Sequence, residues 1–222
     1  MNLNKSLEFF DPTHITKPVH IIGVGAIGSN LADMLARLGV EDIRLYDFDQ
    51  VTAHNIANQR FDNIDVGKYK INVTADKLKD INTHCKPKCY IGGWTPGTRL
   101  SGHVFLCVDN IDLRRLIVQE NMYNPMVVSF HDFRMRLQDA QYYFADASEA
   151  KDMEQFLGTM HFTHAEAVAS TPVSACGTSL NVGPTVQIIV ANGVSNFMNF
   201  IKEGTYKRTI LIDAFTFNTL AM

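Results

Sequence analysis

The sequence lacks any apolar run long enough to span a bilayer: its most apolar stretch, residues 186–194, is broken by Asn192 and Gly193. The opening residues, 1–10, carry Lys5 and Glu8 and have no apolar signal-peptide core. A cytoplasmic protein with no membrane partner is therefore expected. Charge of either sign is also scarce in excess. Twenty Lys and Arg against 23 Asp and Glu leave a formal net charge of -3, with no basic run, which argues against a nucleic-acid surface. Cysteine is sparse, with four in 222 residues. Cys85 and Cys89 have no second pair nearby to complete a four-ligand structural zinc site, and the thiols are expected to be reduced. Cys107 lies inside the apolar run 104–108 and reads as a packed core thiol. Internal repeats, low-complexity tracts and a second domain are all missing, so a single domain over 1–222 is expected.

What is present is an ordinary globular composition, 46% apolar and 19% charged, arranged as alternating strands and helices. Apolar runs at 19–22, 43–46, 89–91, 104–108 and 126–130 read as strands, and 138–144 as an edge strand. Helical spacing appears at 29–38, 68–81, 113–123 and 185–201, and a short helix is expected at 55–61. The alternation predicts an α/β, Rossmann-like fold: a mostly parallel, doubly wound sheet with an antiparallel C-terminal extension ending in a strand at 209–215. Residues 160–180 are polar, rich in small side chains and without a clean period. They read as a long irregular crossover, expected to be mobile without ligand and to close over the site. The wide apolar face of 185–201 is expected to pack on the sheet or on a second subunit.

The polar residues of interest fall at strand ends, where parallel sheets bind ligands. Gly23, Gly25 and Gly28, with Ala26 and Ile27 between them, follow the first strand and open a helix, so backbone N–H groups there can face phosphate. Asp47, 19 positions after Gly28, ends the next strand, where a carboxylate can accept from ribose hydroxyls; Asp49 follows it. Asp109 ends another strand, ahead of Asn110, and is a candidate Mg²⁺ carboxylate. Lys70 opens a helix, where its ammonium can meet phosphates, and Arg114 faces either the same crevice or solvent.

The ordered set Gly23-x-Gly25-x-x-Gly28, Asp47-Phe48-Asp49, Asn55 and Gln59, Val66-Gly67-x-x-Lys70, then Asp109-Asn110-x-x-x-Arg114 resembles the ThiF/MoeB/HesA adenylyltransferases, relatives of ubiquitin-activating enzymes. The likeness is strong over 17–120 and general beyond. It implies Mg-ATP as cofactor and attack on it by the C-terminal carboxylate of a small ubiquitin-like or sulfur-carrier protein, or a peptide, giving an acyl-adenylate and pyrophosphate. It further implies that Asp47 holds the ribose, that Asn55 and Lys70 hold phosphates, that Asp109 positions Mg²⁺, and that two copies pair as a homodimer.

Three departures stand out. Asn58 occupies the place of a phosphate-contacting arginine in Asn55-Ile56-Ala57-Asn58-Gln59, with Arg60 two positions on as a possible replacement. The basic segment expected before Lys17 is not recognisable, and paired Cys-x-x-Cys motifs are missing. In this the chain resembles compact members carried by phages and mobile elements. In some relatives a cysteine near Cys176 receives the activated acyl or persulfide group. Cys176 is thus a candidate acceptor, or else a small buried residue ahead of the 185–201 helix. Two other readings stay open: a nicotinamide-dependent oxidoreductase, which leaves Asn55, Lys70 and Asp109 unexplained, and a non-catalytic nucleotide-binding or recruitment module, favoured by the missing arginine.

Overall fold

The computed structural model describes residues 1–171 and 182–222. Strand β1 (Val19–Ile22) is wholly buried, as an apolar tetrapeptide in the middle of a covered parallel sheet must be. It runs into α1 (Ala26–Leu38), which starts directly at the glycine turn, three residues earlier than its periodicity indicated. Leu31 and Leu35 on its inner face are fully buried, each worth about 2 kcal/mol of apolar transfer. Then follow β2 (Ile43–Tyr46), α2 (Lys70–Ile81), β3 (Lys88–Tyr90), β4 (Gly102–Leu106), α3 (Ile111–Asn121), β5 (Val127–Arg136), β6 (Asp139–Asp146), α4 (Ala150–Gly158), α5 (His164–Ser170), α6 (Gly183–Glu203), β7 (Thr209–Asp213) and β8 (Asn218–Ala221).

The eight strands form one sheet in the order β3-β2-β1-β4-β5-β6-β7-β8. The first five are parallel and the remaining pairings antiparallel. Helices α1, α2 and α6 bury their apolar residues with one face of the sheet, and α3 and α4 with the other. The fold is therefore Rossmann-like with an antiparallel extension. The chain leaves β1 toward β2 on one side and returns to β4 on the other, so the strand order reverses between β1 and β4. That reversal opens the crevice at their carboxyl ends.

Several expectations need correcting. The segment read as an edge strand at 138–144 is interior, because β6 pairs with β5 on one side and β7 on the other. The edges are β3 and β8, the latter four exposed residues without an apolar pattern. Strand β5 runs six residues past the predicted 126–130, and α4 has no counterpart among the predicted elements. The short helix at 55–61 is a 3-10 turn at Ala53–Ala57. The stretch 160–171 is irregular only in part: after a turn at 160–163, Thr163 and Glu166 form a capping box that starts α5. Cys176, with residues 172–181, lies outside the described residues. The apolar face of α6 is spent internally, with Val186, Ile189, Val190 and Phe197 fully buried against the sheet and α1. No described helix is long and apolar enough to cross a membrane.

A buried polar chain crosses the sheet. His103 Nδ1 meets Ser129 Oγ at 2.8 Å, Ser129 Oγ meets His131 Nε2 at 2.9 Å, and His131 Nδ1 meets Tyr142 Oη at 2.8 Å. Burial pushes His103 down to about 4 and His131 well below the ordinary histidine range; burial and the charge of Arg44 likewise push His20 down to about 4. The folded protein therefore refuses protons that the unfolded chain accepts below about pH 6.5. Stability from these groups is complete above that pH and lost as pH falls toward 4. Urea denaturation should show the unfolding free energy dropping by several kcal/mol between pH 7.5 and pH 5. A flat profile over that window would contradict the neutral-imidazole account.

Candidate functional site

An open cleft of about 1260 Å³ lies at the carboxyl ends of β1, β2 and β4 and continues over β5 to β8. Its floor is the β1–α1 turn. Gly23 adopts φ +93°, and a Cβ there would sit 2.7 Å from Val108 N and 2.8 Å from Cys107 O. A Cβ on Gly28 would lie 1.9 Å from Gly23 O, so both positions require glycine. Gly25 is different. A Cβ there meets nothing within 4 Å, because it faces the cleft. Gly25 also caps α1 without any side-chain hydrogen bond. The first-turn N–H groups of that helix, which have no intrahelical acceptor, are thus left for whatever enters.

Asp47, at the end of β2, locks the turn. Its Oδ2 accepts from Val24 N at 2.6 Å and its Oδ1 from Asp49 N at 2.8 Å. Burial pushes the Asp47 carboxyl above the usual carboxylate range, opposed by those two backbone donors and by the nearby Lys70 charge. Lys70 opens α2 with a buried stem, and its Nζ donates to Asp49 Oδ2 at 2.8 Å. Asp109 is exposed on the cleft wall and has no hydrogen-bond or ion-pair partner among the described residues. A bare carboxylate beside an uncapped helix start fits a hard cation that takes its remaining ligands from phosphate. No cluster of three or more metal-ligating side chains occurs among the described residues.

The structure brings together Gly23, Gly25, Ala26, Ile27, Asp47, Asp49, Gln59, Lys70, Asp109 and Arg114 on this cleft. It does not bring the others. Gly28 packs beneath the turn, and Asn110 caps α3 by accepting from Asp112 N and Leu113 N. Asn55 is buried, its Oδ1 accepting from Thr52 N and Thr52 Oγ1, both at 2.9 Å. Asn58 is off the cleft wall, and its carbonyl accepts from Asn30 Nδ2. Arg60 reaches Gln187 Oε1 on α6 at 3.4 Å and does not line the cleft. Arg114 touches the wall but is committed inward, to Val108 O, Phe133 O and the Asp132 carboxylate.

Trp94, His164 and Arg134, which also line the cleft, escaped the sequence reading. Five described side chains bury a polar atom without a protein partner, and three of them line this cleft: Gln59 Oε1, Trp94 Nε1 and His164 Nδ1. Such groups normally find a partner, so their clustering marks a place where ligand or water belongs. Trp94 carried no motif. Asp132 and Arg134 did leave a signal, a charged pair two apart inside an apolar strand.

The ThiF family model matches residues 16–132, more than half of the chain. The chain belongs to the ThiF family. It is 30% identical over 118 residues to the ubiquitin-like modifier-activating enzyme 5 of Drosophila simulans, a match covering 46% of this chain and 29% of that protein. It is 36% identical over 85 residues to the tRNA threonylcarbamoyladenosine dehydratase of Escherichia coli K12, covering 37% and 30%. In fold it resembles Escherichia coli MccB in its crystal structure with ATP, with a TM-score of 0.75 and 16% identity over 95% of this chain and 65% of that one. PaaA is similar at a TM-score of 0.73 and 15% identity, again over 95% and 65%. The ThiF-family chain thus spans about three tenths of the length of these sequence relatives and under two thirds of the solved ones.

The Lys70–Asp49 pair bears on what this lysine is for. Asp49 is half exposed and stays hydrated when its partner is removed, so Lys70→Met should change the unfolding free energy by less than about 1 kcal/mol in urea melts. A loss of several kcal/mol would make the pair structural.

Proposed function

We propose that this ThiF-family chain is an ATP-dependent adenylyltransferase of the ubiquitin-like-modifier-activating type. In this reading it activates the C-terminal carboxylate of a small ubiquitin-like or sulfur-carrier protein, or of a peptide. The observation that carries the reading is the convergence on one cleft of an uncapped α1 N-terminus, the Lys70 ammonium and the Asp109 carboxylate, which has no partner among the described residues. A dinucleotide oxidoreductase would use the glycine turn and Asp47 but has no role for the other two. Family membership supports the same reading, as does the likeness in fold to MccB, which has been crystallised with ATP and with MccA. The lack of paired Cys-x-x-Cys motifs favours the compact type carried by phages and mobile elements.

The chemistry asks little of the protein beyond placement. A carboxylate is already ionised at neutral pH, so no general base is needed. Its oxygen attacks the α-phosphorus of ATP, the bond from that phosphorus to the bridging oxygen breaks, and the electron pair leaves with pyrophosphate. The α1 N–H groups and Lys70 would hold the phosphate oxygens, Lys70 exchanging Asp49 for phosphate, and Asp47 would accept from the ribose. Asp109 would hold Mg²⁺, which when bound would supply positive charge against the leaving pyrophosphate. Asn55 supports the turn from Thr52 through its capping contacts, a positioning part in place of direct phosphate contact. Nothing among the described residues supports Arg60 as a phosphate ligand in this reading, since it points to α6.

ATP–pyrophosphate exchange driven by a peptide library with free C-termini, beside the same library amidated, tests the proposal. Exchange with the free library alone is expected. Binding of Mg-ATP without exchange would favour a recruitment module, and binding of NAD in place of ATP an oxidoreductase. Asp109→Asn should leave the fold intact by circular dichroism and cut exchange by at least about a hundredfold, the loss of a metal-linked contact worth several kcal/mol. Unaltered exchange would remove Asp109 from the mechanism. A homodimer belongs to the same reading. With the α6 face packed internally it rests on the prevalence of symmetric dimers, and a monomer by light scattering at micromolar concentration would remove it.

A further inference from the structure

Asp132 sits fully buried in the middle of β5 and divides its two oxygens between two arginines. Oδ1 accepts from Arg114 Nη1, and Oδ2 from Arg134 Nε at 2.7 Å. Each arginine then reaches a different part of the cleft. Arg114 Nε donates to Val108 O at 2.7 Å, joined by its Nη2, so the guanidinium grips the peptide link immediately before Asp109. Arg134 Nη1 donates to Thr159 O at 2.7 Å and its Nη2 to Thr159 Oγ1 at 2.8 Å, while its guanidinium lies 4.6 Å from the centre of the Tyr143 ring.

Thr159 begins the turn that leads into α5. Arg115, one residue after Arg114, holds the same turn by donating to Met160 O at 2.6 Å and Phe162 O at 3.0 Å. Asp112 Oδ2 accepts from His164 N at 3.1 Å, at the start of α5. Helix α5 lines the cleft and buries none of its own residues. Its position is therefore set by these polar arms and not by apolar packing. One arginine would suffice to neutralise Asp132, and a buried carboxylate is costly to keep. The second arginine adds a route between the Asp109 loop and the α5 turn beside the one that Asp112 and Arg115 make from α3.

We propose that Asp132 and Arg134 are positioning residues that couple the Asp109 loop to α5, so that nucleotide bound at that loop sets how firmly α5 stands over the cleft. The inference rests on the adenylation reading for its ligand. The links are short and hydrogen-bonded at every step, buried at Asp132–Arg114 and part-buried elsewhere, the kind of network whose members shift together. Displacing Val108–Asp109 pulls on Arg114, and through the shared carboxylate on Arg134 and Thr159.

Hydrogen exchange of the α5 amides with and without Mg-ATP tests this, run beside calorimetric titration of Mg-ATP into the wild-type chain, Arg134→Gln and Asp132→Asn. Arg134→Gln leaves the Arg114–Asp132 pair in place, so it carries the test even where Asp132→Asn fails to fold. Mg-ATP should slow α5 exchange about fivefold or more in the wild type. Arg134→Gln should bind Mg-ATP within about threefold of wild type, a free-energy change under 1 kcal/mol, while its α5 response falls by about half or more, the rest passing through Asp112 and Arg115. An undiminished response in Arg134→Gln, or an unresponsive α5 in a wild-type chain that binds Mg-ATP, would overturn the coupling while leaving adenylation standing. A wild-type chain that does not bind Mg-ATP at all would overturn both.

Discussion

The close approach of the β1–α1 turn to the end of β4 is the constraint on which the site depends. Gly23 presses against the Cys107–Val108 peptide, and Gly28 against the carbonyl of Gly23, with no room for a single carbon at either place. That contact fixes where α1 begins and aims its unpaired N–H groups along the ends of β1 and β4. Asp47 then holds the turn from the β2 side through Val24 N. With these three strand ends in register, the stem of Lys70 and the backbone before Asp109 have only one place to converge. The cleft follows from sterics before any ligand is considered.

Charge inside the fold is paired or hydrogen-bonded. Asp132 is buried with two arginines, Asp152 is buried against Arg208, and Asp47 is part-buried with backbone donors and a lysine nearby. Paired carboxylates of this kind add little net stability compared with apolar packing, but removing one partner is expensive. Their value lies in direction. Arg114 spends its whole fork on backbone and Asp132, which holds the Asp109 loop in place and leaves the Asp109 side chain without a partner among the described residues.

Much of this was legible in the sequence where burial is uniform. Val19–Ile22 and Ile43–Tyr46 are apolar runs cut off by glycine and aspartate, and their ends agree with the structure. The reading stopped short on β5 because Asp132 and Arg134 interrupt its apolar pattern, and only their mutual pairing makes them compatible with a strand. Strand β8 is exposed at every residue and exists by pairing with β7, so no pattern could announce it. Helix α5 buries nothing, and its single local sign was the Thr163–Glu166 capping box. The same limit applies to the site. Glycine positions follow from backbone geometry, whereas the direction of Asn55 and Arg60 depends on Thr52 and on Gln187, the latter far away in the chain.

The central claim is that a triphosphate lies between the β1–α1 turn and Lys70. A crystal structure of the chain soaked with Mg²⁺ and a non-hydrolysable ATP analogue tests it most directly. The account predicts phosphate oxygens within hydrogen-bond distance of the α1 first-turn N–H groups, Lys70 Nζ moved from Asp49 to phosphate, and the metal on Asp109. An analogue bound elsewhere, or one bound in the cleft with Lys70 still paired to Asp49 and Asp109 bare, would contradict it.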